Sequence, residues 1–447
     1  MNDGNDILDR LVNLIGKAKA AGADAADAVF VEAVSLSVGH RMGERENLAR
    51  AESADLGLRV FIGARQAVVS SSVISEAAFD ELVARAVAMA RVVPEDRFCG
   101  LAEPGQLATE FPDIEGCDDG EPDAAALGDL AQRAEDAARG VPGITNSEGA
   151  EAGWSLSTMA VVASNGFAQN RSGSRHSLAV SVVAGENTGM ERDYEFASTV
   201  FREDLPAPEE IGRTTGEKTV RRLRPKKAKS AQVPVVYDPR VGNSLLGHLA
   251  GAINGDAVAR GTTFLKDKLR EKIFPDAVTV VDDPLRRRGL RSRSFDGEGI
   301  PTARRNVVDR GRLETWILDL RSARQLKTMT TGHASRGTTS PPSPSTTNLY
   351  LEAGTVTPKQ LMADIKSGLY VTELMGFGIN GVTGDYSRGA SGFWIENGEI
   401  AYPVNEVTIA GNLMDMFARV TVADDLEFRY ATNVPTLRVD GMTVAGR

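Results

Sequence analysis

The stretch GLYVTELMGFGINGVTGDYSRGASGFWIENGEIAYPVNEVTIAGNLMDMF, residues 368–417, decides the class of fold. Its parts GLYVTELMGFG (368–378) and GASGFWIENGEIAYPVNEVTIAG (389–411) are rich in β-branched and aromatic residues and punctuated by Gly, Pro or Asn, so they read as strands. GFGING (376–381) matches G-x-G-x-x-G, but that dinucleotide motif requires a helix to follow. The sequence that follows is no helix former, which leaves a glycine-rich loop. GDYSRGASGFW (384–394) reads as a polar, glycine-rich surface loop. Ser387 and Ser391 are its candidate nucleophiles, although neither sits in G-x-S-x-G, because position 385 is Asp and position 393 is Phe. Asp385, Tyr386, Ser387, Arg388 and Ser391 are the candidates for substrate or partner contact.

The same strand signals surround this block. AQVPVVYDP (231–239), DAVTVVDDP (276–284), RNVVDRGRLETWILDL (305–320), NLYLEAG (348–354) and TLRVDGMTVAG (436–446) are all strand-like, so residues 229–447 form a β-rich C-terminal domain. SPPSPSTTN (340–348) reads as an extended, rigid surface segment, an arm or a groove wall. Residues 1–228 form an N-terminal α/β domain. Two helix-plus-strands units occupy about 1–95 and 120–205, joined by a Pro-containing, acidic loop crossing at 94–121. A helix over 208–223 and the basic linker RRLRPKKAK (221–229) then lead to the boundary. The expected fold class is α+β.

Composition narrows the function. Net charge is −10, so the chain is repelled by phosphate backbones and direct nucleic-acid binding is not expected. Only Cys99 and Cys117 are present, which excludes a disulfide framework and suits a reducing cytoplasm. The N-terminus MNDGNDILDR lacks a basic region and an apolar core, and no window approaches 18 apolar residues, so neither a signal peptide nor a membrane span is expected.

NSLLGHLAGAINGD (243–256) has the rhythm of a short helix. Leu245, Leu246, Leu249 and Ile253 form an apolar stripe with His248 at its edge. The four histidines, His40, His176, His248 and His333, include no i, i+4 pair, so no local zinc motif exists. The stretch is either a degenerate metal helix or plain core packing.

Taken together, VVYDPRVGNSLLGHLAGAINGDAVARGTTFL, DDP (282–284), FDGEGIPTARRNVVDRG, SPSTTNLYLEAG and the 368–417 block resemble the TldD/PmbA family, specifically its PmbA (TldE) branch. The resemblance covers nearly the whole chain and is strongest from residue 233 onward. It implies an α/β N-terminal region with a β-rich C-terminal domain. It also implies partnership with a TldD-type zinc metalloprotease subunit that trims peptides and unfolded small proteins. An older description of the family is modulator of DNA gyrase; with this net charge, any effect on gyrase is read as indirect. In the TldD branch the corresponding helix carries His-Glu-x-x-x-His, and a later Cys completes the ligands. Here Gly247 stands at the first His, His248 at the Glu and Ala252 at the second His, while ADDLEFRYATNVPTL (423–437) has no Cys. The expectation is therefore a non-catalytic partner subunit with no metal of its own, zinc residing in the partner. The alternatives are an autonomous serine-type hydrolase using the 384–392 loop, and a homodimeric peptide-binding protein without catalysis.

Overall fold

Side chains alternate faces along residues 25–41, and this alternation organises the N-terminal half. The computed structural model describes residues 4–446. Helix α1 (Gly4–Ala20) leads into strands β1 (Ala25–Arg41), β2 (Glu44–Ile62) and β3 (Arg65–Ser71), followed by α2 (Glu76–Val92). Helix α3 (Ala124–Arg139) then precedes β4 (Ile144–Ala163), β5 (Ala168–Ala184), β6 (Glu191–Thr199) and α4 (Pro208–Arg221). The two units share one six-stranded sheet, ordered β3-β2-β1-β4-β5-β6, because β1 pairs antiparallel with β4 from Asp27↔Ala163 to His40↔Ala150. Ala26, Ala28 and Phe30 of β1 face a core with α1 and α2, and Leu36 and Val38 face a core with α3. The intervening Val29 points to the opposite face, where it packs with Phe295 of the C-terminal half.

The C-terminal half runs β7 (Ala231–Tyr237), α5 (Pro239–Ala252), α6 (Gly255–Arg260), β8 (Val280–Asp282), β9 (Arg305–Asp309), β10 (Arg312–Leu313), α7 (Leu320–Gln325), β11 (Ala334–Ser335), β12 (Ser343–Pro344) and β13 (Leu349–Leu351). It continues with α8 (Pro358–Met362), β14 (Ser367–Ile379), β15 (Asp385–Glu396), β16 (Glu399–Asn412), α9 (Leu413–Ala418), β17 (Val420–Val422), β18 (Thr432–Asn433) and β19 (Leu437–Ala445). Strands β16, β15, β14, β7 and β19 pair in that order, and β19 returns to β16 at Ala410↔Thr443, so the sheet closes on itself. Asn397 and Gly398, both at positive φ, make the two-residue turn that joins β15 to β16. The fold is mixed α+β.

Two local readings of the sequence are corrected. Residues 384–394 are not a surface loop; from Asp385 they form β15, inside the closed sheet. Glycine misleads here because it serves packing: a Cβ on Gly392 would lie 1.9 Å from the carbonyl oxygen of Tyr370 on the neighbouring strand. The 340–348 segment is extended, but it is not a free arm. Its end is buried at Thr347 and Asn348, and the Thr347 amide donates to Asp282 Oδ2 at 2.7 Å. Asp282 also holds His333, with Oδ1 3.0 Å from Nε2, and the Ser345 amide donates to the His333 carbonyl at 2.9 Å. GFGING lies at the end of β14 and no helix follows it, as its sequence indicates.

Buried charge ties the two halves. Asp27 of β1 accepts two bonds from Arg59 Nε, at 3.2 and 3.0 Å, and one from Arg336 Nη2 at 2.7 Å, and all three residues are buried. The two guanidinium groups hold the Asp27 carboxyl below its ordinary range although burial opposes this. Replacing Asp27 by Ala leaves two buried cations without their shared anion. The expected loss is about 3–5 kcal/mol of stability, read as a lowered denaturant midpoint; an unchanged midpoint would show that the seam does not depend on this carboxylate.

Candidate functional site

Helix α5 begins where Asp238 accepts a bond from the Arg240 amide at 3.0 Å, with proline at its first position. Arg240 reaches across to the N-terminal sheet, donating to Asp193 Oδ1 at 2.7 Å and to the Tyr194 carbonyl at 2.9 Å. Leu245, Leu246, Leu249 and Ile253 are buried in the barrel core, so the apolar stripe read from the sequence is a packing face. Ala252 is buried with them, while Gly247 is exposed with open space where a side chain would stand.

Three of the sequence candidates come together at this helix. The His248 ring packs edge-on against Tyr386, centroids 5.9 Å apart, and Arg388 is near enough to act on it electrostatically. Burial first, and the Arg388 charge second, push the His248 pKa down to about 4, so the imidazole is neutral at pH 7. Burial also pushes the Tyr386 phenol up to about 12. His248 Nε2 and Arg388 Nε are buried without hydrogen-bond partners among the described residues. The remaining candidates stand apart. Asp385 is exposed and bonded to Thr383 and Asn412, Ser387 is exposed, and Ser391 is buried. Among the described residues no imidazole or carboxylate bonds to either serine hydroxyl, so neither has a base in place.

The donor set on α5 does not fit zinc. A zinc site takes three or four protein donors. Here Gly247 has no side chain and Ala252 offers a methyl group, leaving one neutral imidazole wedged against Tyr386. Among the described residues no three His, Cys, Asp or Glu side chains converge for a metal. Cys99 and Cys117 lie in the other half, each thiol raised by burial.

Residues 424–433, between β17 and β19, face the edge strand β6 and helix α4 across a cleft that the sequence reading missed. Three adjoining cavities of about 280, 290 and 330 Å³ line it. The first holds Glu195, Lys218 and Arg240; the second Phe196, Ile211 and Phe428; the third Arg286, Asn348 and Tyr430. Phe196 of β6 and Tyr430 of the loop meet at 5.3 Å between ring centroids. Two outward amides of the β6 edge are already occupied, Tyr194 N by Asp193 and Phe196 N by Glu195. The only signal in the sequence was the mixing of charged and aromatic residues in RDYEF (192–196) and EFRY (427–430), which only the topology brings face to face.

Fold and sequence together define a metallopeptidase-type frame. The sequence matches the PmbA/TldA metallopeptidase domain 1 over residues 26–90, the central domain over 117–223 and the C-terminal domain over 230–446. It is 37% identical to the Metalloprotease PmbA of Escherichia coli O157:H7, covering 99% of this chain and 96% of that one. It is 36% identical to a Metalloprotease PmbA homolog of Haemophilus influenzae, over 96% and 94%. The crystal structure of a putative modulator of DNA gyrase from Bacteroides thetaiotaomicron matches with a TM-score of 0.90 at 26% identity, covering all of both chains. TldE from Thermococcus kodakarensis shares the fold, with a TM-score of 0.85 at 20% identity over 98% of this chain and 100% of that one. The chain belongs to the PmbA/TldD metallopeptidase family. No helix of the described residues is long and apolar enough to cross a membrane.

The His248 environment has a pH signature. The unfolded chain takes up a proton at about 6.5, the folded chain only at about 4. Stability is therefore lost as pH falls through that window, because the unfolded state binds the proton first. NMR of histidine-labelled protein is expected to show His248 neutral at pH 5–6, and Arg388→Met is expected to raise its pKa toward the ordinary value. Titration near 6.5 in the native chain would contradict the packing described.

Proposed function

We propose that this chain is the non-catalytic partner subunit of a TldD-type zinc metalloprotease, acting in the cytoplasm and helping to hold peptides or unfolded small proteins for cleavage. The observation that carries the reading is the family frame with Gly247, His248 and Ala252 at the metal and base positions. The chemistry of hydrolysis, and the zinc that supplies it, then belong to the partner. What this chain supplies is binding surface: the cleft between β6 and residues 424–433, and a surface for the partner. The two unpaired thiols fit a reducing compartment. The net charge of −10 argues against a nucleic acid as the direct ligand.

The end of the β14–β15 hairpin is the surface best suited to the partner. Phe377 is 98% exposed, with Met375 and Val382 also exposed beside it. Strand β7 stops pairing with β14 at Val371, so the outer half of β14 has a neighbour only in β15. An apolar tip beside a strand edge of this kind is a docking element rather than ordinary surface.

Proteolysis by the cognate metalloprotease subunit, assayed with and without this chain, tests the reading: cleavage is expected to require it, and equal cleavage without it would refute the proposal. Phe377→Asp is expected to weaken the complex about tenfold or more in a pull-down titration while leaving the melting temperature of the isolated chain unchanged. Sedimentation of the chain alone distinguishes a homodimer that uses the same tip.

A further inference from the structure

Residues 286–289, RRRG, place three guanidinium groups at the third cavity of the cleft, and they are not equivalent. Arg287 pairs with Glu115. Arg288 pairs with Glu115, Glu203 and Asp204 at 2.7–3.0 Å and covers the Phe201 ring. The Arg286 guanidinium has no hydrogen bond or ion pair among the described residues. It instead stacks on Phe428, with Cζ 3.4 Å from the ring centroid, and Phe428 is braced edge-on by Tyr350 at 5.0 Å. A guanidinium stacked by its face keeps the N–H groups around its rim available, in the fork geometry that fits a carboxylate.

The surrounding groups limit what can bind there. The side-chain amides of Asn348 and Asn433 are committed: Asn348 Nδ2 donates to the Asp283 carbonyl at 2.7 Å and Asn433 Nδ2 to the Tyr430 carbonyl at 2.6 Å. Asp283 is the carboxylate nearest to Arg286 in effect, and its Oδ1 accepts the Leu285 amide at 3.0 Å. Glu195, Glu427 and Asp204 stand along the same cleft, and a polyanion such as a nucleic-acid backbone would be repelled by them. A single carboxylate carried on an otherwise neutral chain meets no such barrier. The cavity of about 330 Å³ has room for one residue's end group and opens past Phe428, Ser198 and Thr199 into the aromatic middle of the cleft.

We propose that Arg286, stacked on Phe428, anchors a carboxylate-binding subsite at one end of this cleft, taking the C-terminal carboxylate or an acidic side chain of a bound peptide. The proposal rests on the peptide-holding reading above and adds which part of the peptide is gripped. Residues further along the peptide lie against Phe196 and Tyr430 by ring contact, which imposes little sequence preference.

Fluorescence anisotropy on the full-length chain alone tests it, using three rhodamine-labelled alanine-rich octapeptides: one with a free C-terminus, its C-terminal amide, and the amide with one internal glutamate. The free acid is expected to bind about tenfold more tightly than the plain amide, in line with a charge-assisted Arg–carboxylate pair. The glutamate peptide reports whether a side-chain carboxylate is accepted equally. Arg286→Met is expected to abolish the preference, Arg286→Lys to keep part of it, and Arg310→Met, at an exposed position that lines none of the three cavities, to leave it intact. A free acid and a glutamate peptide that both bind no more tightly than the plain amide, or a preference that survives Arg286→Met, would overturn the subsite. Should Arg286→Met fail to fold by circular dichroism, the native acid–amide comparison and the lysine variant decide. A negative result here beside a positive proteolysis assay removes the subsite and leaves the partner role standing.

Discussion

The buried carboxylate of Asp27 is the contact on which the arrangement of the two halves depends. It is one anion shared by Arg59 of its own sheet and Arg336 of the other half. Around it the seam is knit largely by arginines. Arg321 pairs with Asp96 at 2.6 Å, Arg324 donates to the carbonyls of Phe98, Gly100 and Leu101, and Arg222 pairs with both Asp193 and Glu373. A guanidinium can satisfy several acceptors with one rigid fork, which suits it to a junction where loop carbonyls and carboxylates are both left over. Close to the same seam, desolvation first and the neighbouring Asp296 second push the Glu298 carboxyl above its ordinary range.

Fixing the halves in this way is what creates a cleft. Strand β6 is the last strand of the N-terminal sheet, and residues 424–433 belong to the C-terminal half, so neither forms a groove alone. Arg240 makes the link explicit. It sits in the first turn of α5, bonds Asp193 of β6, and lines the first cavity. Helix α5 therefore serves as a strut between halves. Its N-terminus is pinned by charge and its apolar face is buried in the barrel. Gly247 opens onto free space and Ala252 fills core.

Much of the fold was legible in the sequence because periodicity reports burial directly. Phe79, Leu82, Val83, Ala86, Val87 and Ala90, spaced for a helix before residue 92, are all buried in α2. Strand β4 was half legible. Its second part carries an apolar alternation, whereas ITNSEGAEAG (144–153) carries little apolar signal and pairs as strand along β5, joined by β1 only from Ala150 onward. β15 was misread for the reason seen at Gly392: a glycine that lets a strand approach its neighbour looks, in one dimension, like a glycine that frees a turn. At the site, the meeting of His248 with Tyr386 and Arg388 was hidden, since 138 positions separate His248 from Tyr386. The cleft was hidden more deeply, because its two walls are a sheet edge and a loop from different halves.

The unpartnered groups of the two regions differ in their surroundings. At α5, His248 Nε2 and Arg388 Nε are orphaned inside a packed core, beside a phenol that burial keeps protonated. Arg286 is orphaned on the wall of an open cavity, while its immediate neighbours Arg287 and Arg288 are fully paired. Satisfying Arg286 internally would require only one more carboxylate among the acids that already line the cleft. Its stacking on Phe428 instead holds the cation in place without neutralising it. A charge that is positioned but not paired, at the end of a groove, is the arrangement expected where the missing partner arrives with a ligand.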